Sequence, residues 1–305
     1  REHAGTVMIG RTLLQHALPT TLGLKAAGWL DSVRFARAQF ASAAAQAAQL
    51  QFGGAAGTLA SLEGRGLEVS RALALELELP EAVLPWHARR ERIAALGGAI
   101  AVAVGVLGKI AGDLLLMMQT EAGEAFEPAA PGKGGSSAMP HKRNPVGLIA
   151  MSAAARRAPG LAATLFAAMP QEHERGAGGW HAEWEVLPEL FRLLGGAASH
   201  GAEIVAGLEL DVEKMRANLD LTRGLLFGEG VVLALAPTLG KARAQALLEA
   251  ASKTAVAQRR SLAEVLRETP EAAAVLTDDQ WRGLFDPAQR LGSAEELVSR
   301  ALEVK

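Results

Sequence analysis

The chain has 305 residues, half of them hydrophobic, which is enough to bury one large domain or two smaller ones. Its formal net charge is -2 with both signs interspersed, so there is no basic stripe for nucleic acid or an anionic membrane surface, and neither is expected as a partner. Cysteine is absent, which excludes disulfides, thiolate nucleophiles and Cys-ligated metals and fits a cytoplasmic location; the seven scattered histidines include no His-Glu-x-x-His pair, so no metal is expected.

Ala, Leu, Glu and Arg dominate, and period-two alternation of Val, Thr and Ile is nearly absent, so the expected fold class is all-α. The chain opens on Arg1 with no basic segment leading into an apolar one; neither a native start nor a signal peptide is visible, and an N-terminal portion is expected upstream. Pro19-Thr20-Thr21 resembles a helix start, and the amphipathic pattern through Trp29, Val33 and Phe40 predicts a helix to about Gln51, ended by Gly53, Gly54 and Gly57. A second long helix is predicted from Pro85, because Ile93, Leu96, Ile100, Leu107, Ile110, Leu114 and Met117 recur on one face, giving a length approaching ~50 Å. Its uncharged run from Ile93 to Gly108 falls short of the ~20 residues that span a bilayer, and Lys109 and Asp113 interrupt its continuation. Alanine and glycine on its other faces allow close approach of neighbours, as inside a bundle, and that much apolar surface suggests partner chains.

Between Glu121 and Pro145 the periodicity collapses into Pro131, Gly132, Gly134, Gly135, Ser136 and Ser137, which predicts a mobile loop. Helices resume at about Val146 to Met169 and Val186 to Leu208. From Asp211 they become shorter and more charged, at Lys241 to Arg260 and Leu262 to Arg267. The expected organisation is a helical-bundle domain over 1–210, carrying the loop at 121–145, and a small helical C-terminal domain over 211–305.

The stretch from Gly135 to Pro145 carries the most chemical information. Its glycines permit close backbone approach, Ser136 and Ser137 offer hydroxyls, and Lys142 and Asn144 supply a cation and an amide suited to gripping carboxylates, so an anionic small molecule is the expected ligand. By composition alone a surface linker competes with that reading. The full string Gly135-Ser136-Ser137-Ala138-Met139-Pro140-His141-Lys142-Arg143-Asn144 resembles the signature Gly-Ser-Ser-x-x-Pro-x-Lys-x-Asn of the fumarase/aspartase superfamily at every fixed position. The resemblance implies a long-helix bundle, a homotetramer with composite active sites, and cofactor-free chemistry in which Ser136 moves a proton. His141, inside the loop, is a second candidate for proton transfer or carboxylate binding.

Gly10 to Pro19 is similar to a second segment of that superfamily, Gly-x-Thr-His-x-Gln-x-Ala-x-Pro, which makes Thr12 and Gln15 candidate substrate contacts. The superfamily's histidine falls on Leu13, and the glutamate that pairs with it falls on Ile149, so both halves of that relay are missing together. His16 lies three positions on and, on a helix, would face another side; a structural role is expected for it. A third stretch, Gln171 to Trp184, resembles adenylosuccinate lyases through His173-Glu174-Arg175, but Trp180 and Trp184 stand where those enzymes hold a nucleotide phosphate. The string Gly178-Gly179-Trp180-His181-Ala182-Glu183-Trp184, with Pro85 to Arg92 and Asn218 to Gly224, is instead similar to the bacterial carboxymuconate cycloisomerases. That implies closure of a tricarboxylate into a lactone, with Arg175 and His181 as candidate carboxylate ligands against the competing role of joining helices. Another lyase of the superfamily and a non-catalytic structural protein are the alternatives; retention of Ser136, Lys142 and Asn144 speaks against the latter.

Overall fold

The computed structural model describes residues 1–130 and 132–304, so Pro131 of the predicted loop lies outside the described residues. The chain begins with an antiparallel hairpin, Val7–Thr12 (β1) and Gln15–Thr21 (β2), where a helix start was expected from Pro19. Val7, Ile9, Thr20 and Thr21 favour extended backbone, and Gly10 sits at a register shift where any Cβ would lie 2.8 Å from the Leu18 carbonyl oxygen. The turn escapes sequence reading because Leu13 and Leu14 occupy it, with φ of 50° and 65°, where Asn-Gly is the usual signal.

Helices follow at Leu22–Ala47 (α1), Gly66–Glu76 (α2), Glu91–Met118 (α3), Val146–Ala167 (α4) and Gly179–Ala206 (α5). Shorter ones come after, at Val212–Leu219 (α6), Gly228–Leu239 (α7), Lys241–Gln258 (α8), Leu262–Glu268 (α9), Pro270–Ala273 (α10), Asp278–Leu284 (α11) and Ala294–Glu303 (α12). The helix expected from Pro85 starts at Glu91 because Pro85–Arg90 is held outside it: the Trp86 indole N–H donates to Leu50 O at 3.0 Å. The helix expected from Val186 starts earlier. The Gly176-Ala177-Gly178-Gly179 run reads as a breaker, yet Gly178 at φ 130° completes the turn and Gly179 is already helical.

Two compact units result. Residues 31–118 and 126–209 form one, whose core is the interior face of α3 (Ile100, Val104, Leu114) packed with α4 (Met151, Ala158, Leu165) and α5 (Leu190, Ala197, Ile204). By length and composition α3 could cross a membrane; its buried face forms the bundle interior. The other unit gathers residues 1–30, 119–125 and 210–305 around Val231, Leu235, Leu262, Leu266, Trp281 and Leu284. A capping box of Ser261 and Glu264 starts α9, and one of Thr277 and Gln280 starts α11. The division is not sequential: the N-terminal hairpin shares a unit with residues 210–305, and Ile9 is buried with Leu219, Leu226 and Phe227.

Candidate functional site

In the unit containing the hairpin, Thr12 and Gln15 face each other as the pair closing the Leu13-Leu14 turn, and both are exposed. Leu13 is 97% exposed, so the position of the missing histidine is the tip of the hairpin. Arg11 fixes that tip from below. Its guanidinium donates two parallel bonds, of 2.8 and 2.7 Å, to the fully buried Glu124 carboxylate. Asn218 of α6 donates to the same carboxylate and to Ala122 O, each at 2.8 Å. His16 lies on β2 opposite Arg11, which corrects its expected helical placement. Burial, then the Arg11 charge, lowers its pKa from the ordinary value of 6.5 against the opposing pull of Glu124.

In the bundle unit, the signature loop is closed at its base by Asn144, whose backbone N–H and side-chain amide both donate to Gly134 O at 2.7 and 2.9 Å. Gly134 has φ 71°, and a Cβ there would lie 2.5 Å from Asn144 O, so only glycine fits. The Ser136 hydroxyl accepts from Met139 N–H at 3.2 Å, and Met139 O accepts from Lys142 N–H at 3.0 Å. Ser136 is half-buried; Ser137, His141 and Lys142 are exposed. Lys133 and Arg143 pair with Glu203 and Glu209, at 2.6 and 2.7 Å, whereas the Lys142 ammonium has no carboxylate partner among the described residues. The bond from Arg143, followed by that from Ala129 N–H, holds the Glu209 carboxyl below the usual carboxylate range.

Glu127 connects the loop to the helix after it. Its buried carboxylate accepts from Gly147 and Leu148 N–H at 3.2 and 2.6 Å, satisfying orphan donors of the first turn of α4, while its own carbonyl accepts from Arg143. Ile149, at the other missing relay position, is 53% exposed on that same turn.

A third assembly brings the start of α5 to the segment before α3. Buried Arg90 and Glu183 form a bidentate ion pair, one bond of which measures 2.8 Å. Beside it the His87 ring packs at 4.8 Å on Trp180, which lies 5.3 Å from Trp184 and 5.5 Å from His181. Arg175 is exposed and donates only a 3.3 Å bond to Gly54 O. Burial, followed by the Arg175 and Arg90 charges, lowers the His87 pKa from 6.5, with Glu183 opposing, so the imidazole is neutral at pH 7. Of the residues predicted here, His181 joins the ring cluster and Arg175 borders it. His87, Arg90, Glu183, Glu124 and Glu127 were not among the predicted residues; Pro85-Trp86-His87 was visible as a resemblance, whereas the glutamates carry no local signal. Among the described residues no group of three or more His, Cys, Asp and Glu side chains could hold a metal ion.

A serine-bearing glycine loop leads into α4 of the helical bundle, and its Lys142 has no carboxylate partner among the described residues. Residues 1–160 match the lyase family and residues 224–301 the adenylosuccinate lyase C-terminus, and the chain belongs to this family, within the fumarase/aspartase superfamily. Among curated proteins it is 50% identical over 300 residues to the 3-carboxy-cis,cis-muconate cycloisomerase of Pseudomonas aeruginosa, covering 98% of this chain and 65% of that protein. It is 48% identical over 310 residues to the nitrosuccinate lyase of Streptomyces davaonensis, covering 99% and 65%. Among solved structures, the 3-carboxy-cis,cis-muconate lactonizing enzyme of Pseudomonas putida superposes with a TM-score of 0.92 at 46% identity, covering 99% of this chain and 67% of that one. The chain thus spans about two thirds of the length of these relatives.

Proposed function

We propose that the protein interconverts 3-carboxy-cis,cis-muconate and its lactone, a cofactor-free cycloisomerisation in the degradation of aromatic compounds. The observation that carries this reading is the 50% identity to a cycloisomerase across nearly the whole chain. Lactonisation adds a carboxylate oxygen across a double bond conjugated to a second carboxylate; the electron pair moves toward that carboxylate, and the α-carbon takes a proton. In reverse a base removes the α-proton and the ring oxygen leaves as a carboxylate. That leaving group has a pKa of ~4 and gains little from a general acid, unlike an expelled amine or hydroxide. Leucine at 13 and isoleucine at 149 are consistent with this economy.

The group moving the α-proton is Ser136, with its alkoxide stabilised by loop amides and Lys142; His141 is the next candidate. Lys142, Asn144, Ser137, Thr12, Gln15, Arg175 and His181 hold the carboxylates, in sites completed between subunits of a cytoplasmic homotetramer. Nucleic acid and membrane have no part in this function.

The test is loss of diene ultraviolet absorbance when the purified protein meets 3-carboxy-cis,cis-muconate, in the presence of chelator. No change over hours at micromolar protein would refute the reading. The likeness to a nitrosuccinate lyase supports a second one, in which a nitro-substituted succinate is the substrate; a nitro group also leaves as a weakly basic anion. Nitrite release without diene loss would favour it.

A further inference from the structure

At the N-terminal end of α5 the molecule gathers ring faces and a guanidinium with donors to spare, and the proton-moving chemistry of the loop uses neither. Arg90 and Glu183 neutralise each other and act as the buried frame. What that frame presents is apolar and aromatic. Trp180 is half-buried between His87 and Trp184, and His181 lies 4.7 Å from Trp184. Trp184 is 56% exposed, an indole left facing solvent next to other rings rather than folded into the core.

The cation at this place is Arg175. Its bond to Gly54 O, at 3.3 Å, occupies one of five N–H donors. The turn before α5 holds it there: the Glu172 carboxylate accepts from Ala177 N–H at 2.9 Å, and His173 takes φ 51°. The His87 Nε2 is buried with no hydrogen-bond partner among the described residues, and the ring packs on Trp180.

We propose that Trp180, His181 and Trp184, with His87 and Arg175, form a subsite selecting a flat, conjugated polycarboxylate over a saturated one of equal length and charge. The ring faces take the unsaturated chain and Arg175 takes a terminal carboxylate. The inference rests on the lactonising reading for the identity of its ligand, and adds to it a place where conjugation itself is recognised. Ring contacts of this kind contribute enough beyond burial for about a tenfold difference in affinity.

Calorimetric titration with cis,cis-muconate and with adipate, six-carbon diacids of the same charge, tests the proposal. Muconate should bind about tenfold more tightly to the wild-type protein. Trp184→Leu, at an exposed position, should cut that preference to about threefold or less while moving adipate affinity by less than about twofold; Arg175→Gln and His181→Gln should weaken both diacids alike. Equal binding of the two diacids by wild type, undetectable muconate binding, or a preference surviving Trp184→Leu would overturn it. Turnover is read separately: a preference for muconate in a protein that forms no lactone refutes the lactonising reading and leaves the subsite standing, and lactone formation without the preference does the reverse.

Discussion

Ser136 and Lys142 illustrate how a residue's role depends on what the fold leaves unoccupied. Lys133 and Arg143 have local carboxylate partners, whereas Lys142 has none among the described residues and is the loop cation available to an anion. Ser136 is tied only through its acceptor side, by Met139 N–H. Ser136→Ala should lower kcat by several orders of magnitude with little change in substrate Kd, because a group acting on the α-proton contributes mainly in the transition state. Single-turnover lactonisation alongside calorimetry checks this, and turnover within about tenfold of wild type would transfer the role to another group, His141 first. Asn144 is expected from the sequence to bind a carboxylate; in the structure its amide closes the loop on Gly134. That contact was not legible, because it depends on the path of a glycine-rich chain rather than on the asparagine.

Two elements carry local strain or support. The β1–β2 turn holds consecutive leucines in the left-handed region, a conformation that favours glycine and asparagine. Replacing Leu13-Leu14 by Asn-Gly should raise stability by about 1 kcal/mol, seen as a higher urea midpoint at unchanged slope. A lower midpoint would mean that the leucines make stabilising contacts outweighing the strain. Glu127 supports α4 by binding two N–H groups of its first turn. Glu127→Ala should cost about 1 to 2 kcal/mol and speed protease cleavage within 132–145, since the loop runs directly into the helix turn that loses its acceptor, while the Arg143 bond to the residue 127 carbonyl is kept. Unchanged cleavage would separate the helix cap from the order of the loop.

For the whole molecule, the lowered pKa values of His16 and His87 fix a pH dependence. Each has a folded pKa below its ordinary 6.5, so between the two values the unfolded chain binds protons that the folded chain does not. Stability is therefore unaffected by these groups above about pH 6.5 and falls as the pH drops below it, before the carboxylates begin to titrate. A thermal melting temperature that stays flat down to pH 5, or a wild-type decline unchanged in His16→Phe and His87→Phe, would contradict this. Assembly is the other prediction at this scale. Phe35 of α1, Val102 and Leu116 of α3, Phe166 of α4, and Phe191 and Val205 of α5 remain exposed in a bundle unit whose interior is already filled. A tetramer formed through these faces should sediment as such at micromolar concentration, and a stable monomer would refute it.

The long helices, the glycine-rich loop between them and the identities of Leu13 and Ile149 could be read from the sequence, because helical periodicity, glycine placement and side-chain identity are local properties. The sequence did not reveal the hairpin, whose turn lacks the usual residues, nor the grouping of residues 1–30 with the C-terminal part. The buried pairs were decided by tertiary structure alone. Arg11 meets Glu124 across 113 positions, Arg90 meets Glu183 across 93, and Glu127 reaches Leu148 across 21. A charge in the sequence carries no mark of its partner; which carboxylate is buried against which guanidinium is settled only when helices pack and desolvation makes every other pairing more costly.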